Sequence, residues 1–255
     1  MVQNLKELNH KMQESLQMKK GRMQKSLYKC DKCKDTGWIL KKHEDGTSYA
    51  VSCQCREKEK LKQQWKSSGM NLDSINLTFS NFSIWNKFSK ALKETAIAYF
   101  NDFNKIKNSR QNSLLLSGQP GGGKTHIAVA VAINLINTGI KVIYMPYREA
   151  LTNLKINIKD ENYYRSTLDR YKMCELLMID DLYKGKVTVA DINILFEIVN
   201  YRYVNYKPIM VSSEMTIEEI LEIDEGIGSR VYEMCSSYIV TIPKNKDNNF
   251  RLCNK

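Results

Sequence analysis

The chain has 255 residues, enough for one full core and a smaller appendage. Its formal charge is +11, and residues 1–70 carry +8 of it through 16 Lys+Arg against 8 Asp+Glu, an excess that favours polyanionic partners, nucleic acid above all. Residues 1–13 lack the apolar stretch of a targeting signal and the longest apolar run, Ile127–Ile133, is too short to span a bilayer, so a soluble cytoplasmic protein with no membrane partner is expected.

Taken in order, residues 1–27 place Leu5, Leu8, Met12 and Leu16 on one helical stripe. Two readings stay open, packing within its own small domain or docking on a protein partner. Then Cys30-x2-Cys33 and Cys53-x-Cys55 bracket 19 residues that hold two short strand patterns, Trp38-Ile39-Leu40 and Tyr49-Ala50-Val51, around an Asp45-Gly46 turn. A hairpin joining two cysteine pairs is the layout of a zinc ribbon, and four protein ligands would leave the ion no position for chemistry. The competing reading is four buried cysteines without an ion. His43, beside the turn among charges, is expected to be solvated. A charged helix from Arg56 to Lys66 follows, and Ser67-Ser68-Gly69 breaks it. The expected domains are residues 1–66, a linker at 67–82, and an ATPase core at 83–255.

Thr78-Phe79-Ser80-Asn81-Phe82 carries two aromatics just ahead of that core, placed either to cover a nucleotide base or simply to pack. Helical periodicity over 88–104 leads to an apolar strand at Leu114–Leu116. Next comes GQPGGGKT, from Gly118 through Gln119, Pro120, Gly121, Gly122, Gly123 and Lys124 to Thr125, then His126 and a helix opening with Ile127-Ala128-Val129. This spacing defines a phosphate-binding loop: glycines let backbone N–H groups turn inward, Lys124 reaches the β- and γ-phosphates, and Thr125 offers a hydroxyl to Mg²⁺. Apolar strands at Ile140–Met145, Leu176–Ile179, Pro208–Ser212 and Tyr238–Ile242 alternate with helices. The expected fold is therefore α/β, a doubly wound parallel sheet with ligands at the strand C-terminal ends, preceded by the small helical and zinc-ribbon domain.

Leu176–Ile179 ends in Asp180 and Asp181, paired acids that a buried strand tolerates when a cation stabilises them. Asp180 is expected to serve Mg²⁺ and Asp181 the attacking water. Aspartate is a methylene shorter than the glutamate common at that place, so slow intrinsic hydrolysis is expected. Ser212, Ser213 and Glu214, at the end of the next strand, are candidate γ-phosphate sensors or an ordinary strand end. Gly226-Ile227-Gly228-Ser229-Arg230 reads as a short loop entering a helix, with Arg230 either reaching a neighbouring subunit's nucleotide or forming a surface salt bridge. Between Ala150 and Met173, Lys155, Lys159, Tyr163, Tyr164, Arg165, Arg170, Tyr171 and Lys172 interleave bases with rings. That pattern fits single-stranded nucleic acid or a solvated helical face.

In this order the cysteine module, GQPGGGKT, LLMIDDL, PIMVSSE and GSRVYEMC resemble the DnaC/DnaI group of replicative helicase loaders, AAA+ ATPases, over essentially the whole chain. The ATPase motifs are similar also to IstB-type transposition helpers that act on duplex DNA; the cysteine module favours the loaders. The resemblance implies ATP contacts from Gly118 to His126, magnesium and hydrolysis roles for Asp180 and Asp181, an arginine finger at Arg230, and a second sensor arginine at Arg251. It also implies a DnaB-type helicase and single-stranded DNA as partners, with self-association into a spiral or ring. Two departures are Glu214, where many relatives have Asn, and Met234, where some have a second arginine.

Overall fold

Which side chains each strand sends to either face decides this architecture. A computed structural model describes residues 28–44, 46–67 and 77–253, so the stripe expected over residues 1–27 and the break at Ser68-Gly69 lie outside the described residues. The chain separates into two compact units, residues 1–56 and 57–255.

In the first unit, β1 (Trp38–Lys42) and β2 (Ser48–Ser52) pair antiparallel, with Trp38 opposite Ser52 and Lys42 opposite Ser48. Nearly every residue of this hairpin is exposed, and an isolated two-stranded hairpin is marginal in water. Its other restraints are local: Cys53 N donates to Gly37 O at 2.8 Å and Lys34 N donates to Cys30 O at 2.9 Å, which draws the two cysteine pairs toward each other. Helix α1 (Gln54–Ser67) begins between Cys53 and Cys55, ahead of the start expected at Arg56.

In the second unit the described elements are α2 (Lys87–Ile106), β3 (Leu114–Gly118), α3 (Lys124–Thr138), β4 (Val142–Pro146), α4 (Tyr147–Ile156), α5 (Glu161–Met173), β5 (Leu176–Leu182), α6 (Val189–Val204), β6 (Ile209–Ser213), α7 (Ile217–Ile223), α8 (Glu225–Cys235), β7 (Ile239–Ile242), a 3-10 turn at Lys246–Asn248, and α9 (Phe250–Cys253). The five strands are parallel in the order β4-β5-β6-β3-β7. Period-two alternation divides their side chains between two cores. Leu114, Leu116, Val142, Tyr144, Met178 and Met210 pack with α2, α3 and Trp65. Leu115, Met145, Leu177, Ile179 and Val211 pack with α4 to α8 on the other face. A fully buried leucine such as Leu115 or Leu116 contributes about 1.5–3 kcal/mol over an exposed one, and strands buried on both faces explain why their sequences read as unbroken apolar runs.

Two local expectations need correction. The strand expected to stop at Ile179 continues to Leu182, and a bulge between Ile179 and Leu182 takes both acids into it. Asp224 caps α8 by accepting from Ile227 N at 2.7 Å, so Arg230 lies inside a helix and not at a loop end. The glycines that suggested a loop serve close packing instead: a Cβ at Gly228 would come within 2.9 Å of Leu221 Cα on α7.

Candidate functional site

The strand order puts β6 between β3 and β5, so the phosphate-loop strand and the acidic strand are not neighbours. Ser212, at the end of β6, fills the gap. Its Oγ donates to Asp180 Oδ1 and accepts from Asp181 N at 2.9 Å. Thr125 Oγ1, in the first turn of α3, donates to the same Oδ1 at 3.1 Å, and Tyr144 OH donates to Oδ2 at 3.1 Å. Burial pushes the Asp180 carboxyl up from its ordinary value while the hydrogen bonds from Ser212, Tyr144 and Thr125 act against that. Successive strand residues point to opposite faces, yet both acids belong to this site. Asp181 manages it through the bulge and a φ of +56°, a left-handed conformation that Asp tolerates better than most residues.

Lys124 is 6% exposed and its Nζ donates to Gly118 O and Gln119 O, both at 2.8 Å; burial lowers its pKa to about 8. Gly123 caps α3 with φ +87°, and a Cβ there would meet Phe82 at 2.6 Å. This is a cradle that only glycine leaves open, at a helix N-terminus, and it fits a phosphate. Gln119 anchors the loop, its N donating to Ile242 O at 2.9 Å and its Oε1 accepting from Asn245 N at 3.0 Å, and neither Gln119 nor Pro120 lines the cavity above it. Thr125 hydroxyl and Asp180 carboxylate form the oxygen set that a Mg²⁺ ion takes.

Above the loop is a cavity of about 380 Å³, lined by Gly121 to His126, Asp181, Lys184, Glu214, Arg251 and several rings. Of the two aromatics in the 78–82 segment, Phe82 borders it, whereas Phe79 packs on Phe100. Sequence reasoning missed Trp85 and Phe250, whose rings lie 4.9 Å apart at its wall. Among the described residues Trp85 Nε1 is buried without a hydrogen-bond partner, a free donor beside a cavity of the right kind for a nucleobase. His126 Nε2 is tied to Thr78 O at 3.0 Å and Asn81 Oδ1 at 3.1 Å. Lys184, also missed, bridges Asp181 Oδ2 at 2.7 Å and Glu214 at 3.2 Å. Of the three sensor candidates, Glu214 faces the cavity and Ser212 lies beneath the acids. Ser213 donates to Leu182 O at 2.9 Å, which ties β6 to β5.

Arg230 bonds within its own unit, with Nε on Asn200 Oδ1 at 3.1 Å, Nη1 on Gly226 O at 2.8 Å, and the guanidinium over Phe196 at 5.1 Å. The basic segment divides. Lys155 is held by the buried Asp191 at 2.6 Å and Arg165 by Glu161 at 2.8 Å. Lys159, Tyr163 and Arg170 are exposed, but Tyr171 is buried in the second core and unavailable for stacking, a correction to the sequence reading.

In the first unit, Cys30, Cys33, Cys53 and Cys55 place their sulfurs all within 4.8 Å of one another. The pairs Cys30–Cys53 and Cys33–Cys55 stand at 3.7 and 3.4 Å. Zn–S bonds of about 2.3 Å in a tetrahedron require sulfurs about 3.8 Å apart, so the donor set fits zinc. Gly37 N donates to Cys33 Sγ at 3.3 Å. The Cys33 backbone amide draws the Cys30 thiol down to about 7, while the hydrogen bond with the Cys33 side chain pushes the Cys55 thiol up to about 12, so without an ion the four sulfurs share protons and metal binding would release them. His43 lies outside the cluster, exposed, with its ring 4.2 Å from Tyr49.

A five-stranded parallel sheet with a phosphate loop on one strand and paired acids on another defines a P-loop nucleotide-binding protein of the AAA+ class. The sequence pattern of the IstB-like ATP binding protein family matches residues 53–224, and the chain belongs to that family, which is ATP-binding and includes DnaC-like proteins. YqaM of Bacillus subtilis is 40% identical over 76% of this chain and 64% of its own length. The phage-like element PBSX protein XkdC of the same organism is 39% identical over 85% of this chain and 83% of its own. More distant matches cover less than half of each chain: the replicative helicase loader DnaC of Buchnera aphidicola is 29% identical over 45% of this chain and 46% of its own, and the ATP-binding protein of insertion sequence IS21 from Pseudomonas aeruginosa 27% identical over 41% and 39%. In fold, the crystal structure of DnaI superposes with a TM-score of 0.57 at 19% identity, over 68% of this chain and 94% of that one. Among the described residues no helix is long and apolar enough to cross a membrane.

Proposed function

We propose that this chain is an ATP-driven loader of a replicative helicase, acting in the initiation of DNA replication, with nucleotide binding and hydrolysis as its switch. The observation that carries the reading is the meeting of Thr125, Asp180 and Asp181 beside one nucleotide-sized cavity, in a chain whose other unit holds four clustered cysteines. DnaC among its relatives and the DnaI fold support it further.

On this reading residues 1–66 dock on a DnaB-type helicase through their first unit, residues 1–56, since Trp65 packs in the ATPase core; residues 67–82 link and lend Phe82 to the cavity, and residues 83–255 are the ATPase. Zinc on the four cysteines is structural. Thr125 and Asp180 would hold a magnesium ion, which would neutralise charge on the bound phosphates. The loop from Gly118 to His126 cradles the phosphates with Lys124, and Arg251 borders the same cavity. Asp181 orients the attacking water, Glu214 or Ser212 senses the γ-phosphate, and Arg230 of one copy completes the site of the next in a spiral or ring. Hydrolysis by isolated chains is slow. Exposed Lys159, Tyr163, Arg165 and Arg170 are the candidates for single-stranded DNA, with Lys155 committed first to Asp191.

Size measurement of the protein mixed with its host's hexameric helicase, with and without ATP and single-stranded DNA, tests the reading. A complex that forms with the helicase and changes with nucleotide is the expected result; no complex in any condition overturns it. The similarity to the IS21 protein favours a second reading, a transposition helper on duplex DNA. Tighter binding to duplex than to single strands, with no helicase contact, would select that one.

A further inference from the structure

We propose that Tyr144, strapped in place by Trp65, is a positioning residue that sets the Asp180 carboxylate; this rests on the magnesium-side role given to Asp180 above. In the β4–β5 register Pro146 stands opposite Asp180 and Tyr144 opposite Met178. Tyr144 is therefore the diagonal neighbour of Asp180 on the same face of the sheet, a spacing that an aromatic side chain can bridge. Proline directly opposite offers no side-chain donor, and the phenol supplies one from two residues back.

The hold on Asp180 has two sides. Ser212 and Thr125 both donate to Oδ1, and Tyr144 donates to Oδ2 across 3.1 Å. A carboxylate gripped at one oxygen can turn about its Cβ–Cγ bond. Gripped at both, it presents a fixed edge. Thr125 is also a candidate magnesium ligand, so Ser212 and Tyr144 are the donors whose bonds to Asp180 are independent of that role. Asp180 is 7% exposed, and little water is at hand to replace a lost donor.

Tyr144 is in turn fixed from behind. Trp65, on α1, is 1% exposed; its Nε1 donates to Val142 O at 2.8 Å and its ring lies 5.8 Å from that of Tyr144. One indole thus straps residues 142 and 144 of β4, two positions that share a face. The chain of contact runs from α1 through two rings to the acid.

The test is titration of full-length protein with a fluorescent ATP analogue in chelator and then at rising magnesium, for wild type, Tyr144→Phe, Trp65→Phe and the double variant. In Tyr144→Phe the magnesium concentration for half-maximal enhancement should rise about tenfold, the lower end for losing a group that orients a metal ligand. Affinity without magnesium should stay at the wild-type value, and the melting temperature should fall only by the few degrees that one lost hydrogen bond to a buried carboxylate costs. Trp65→Phe should shift the midpoint less and in the same direction, and the double variant should match Tyr144→Phe alone, because both act through one contact. An unchanged midpoint in Tyr144→Phe, or a lowered melting temperature with no change in midpoint, overturns the inference by itself. Wild-type protein without magnesium-dependent binding overturns the reading of Asp180 as well.

Discussion

Thr125 Oγ1 donates to Asp180 Oδ1 across 3.1 Å, joining the end of the phosphate loop to the acidic strand over 55 positions of sequence. Such a bond between a hydroxyl and a buried carboxylate prepares two oxygens for one small cation. Asp180→Asn should therefore leave chelator-treated protein able to bind nucleotide while removing the gain that magnesium brings, and Lys124→Ala should remove binding under both conditions. Calorimetric titration with ATP, with and without magnesium, separates the two. A magnesium response kept in Asp180→Asn would contradict the assignment.

Trp85 and Phe250 close the cavity wall from segments far apart in the chain. Stacking of a base on an aromatic ring is worth about 1–3 kcal/mol. Trp85→Leu should thus weaken ATP about tenfold, and equally with and without magnesium, since the substitution leaves the Thr125 and Asp180 oxygens in place. Loss of affinity confined to the magnesium-bound state would move the base elsewhere.

Arg230 joins α8 to α6 through Asn200, and if that were its whole task its loss would cost stability and nothing else. The proposed reach to a neighbour's nucleotide predicts something different. Arg230→Ala should hydrolyse ATP poorly yet bind it normally, and mixing it with Lys124→Ala should restore turnover, because the second variant still carries the arginine. Failure of the mixture to exceed either variant alone would confine Arg230 to its own subunit.

For the cysteine cluster, metal analysis of purified protein should find zinc in the wild type and almost none after Cys30→Ser. Nucleotide binding, which belongs to the other unit, should survive the substitution. Full zinc retention would remove Cys30 from the ligand set.

Lys155 and Arg165 both belong to the segment whose sequence fits single-stranded nucleic acid or a solvated helical face, but their surroundings differ. Lys155 neutralises the buried Asp191, so Lys155→Ala should destabilise the fold by about 1–3 kcal/mol, part of the cost of a fully buried pair because the lysine side chain is partly exposed. Arg165 pairs with Glu161 on an open helix surface, where such pairs are worth little. Arg165→Ala should leave stability alone and weaken single-stranded DNA if this face binds it. Denaturant melts beside DNA titrations distinguish the two positions.

What could be read without coordinates was what depends on near neighbours in the chain. The G-x4-G-K-T spacing, the cysteine pairs around a hairpin and four apolar residues ending in acids each encode their own local geometry, because a loop, a turn or a strand end is shaped within a few residues. The parallel α/β class followed from alternation of strands and helices in the same way. Only tertiary structure decided the rest. The insertion of β6 between β3 and β5 makes Ser212 the bridge to Asp180, and a bulge with one left-handed residue turns Asp181 toward the site against the strand's alternation. Gly228 proved to be a close approach between helices where its sequence suggested a loop, for glycine serves both ends equally. Tyr144, Trp85 and Phe250 carry no spacing signal at all: their partners come from strand register and from distant segments folding back, relations that a linear string does not contain.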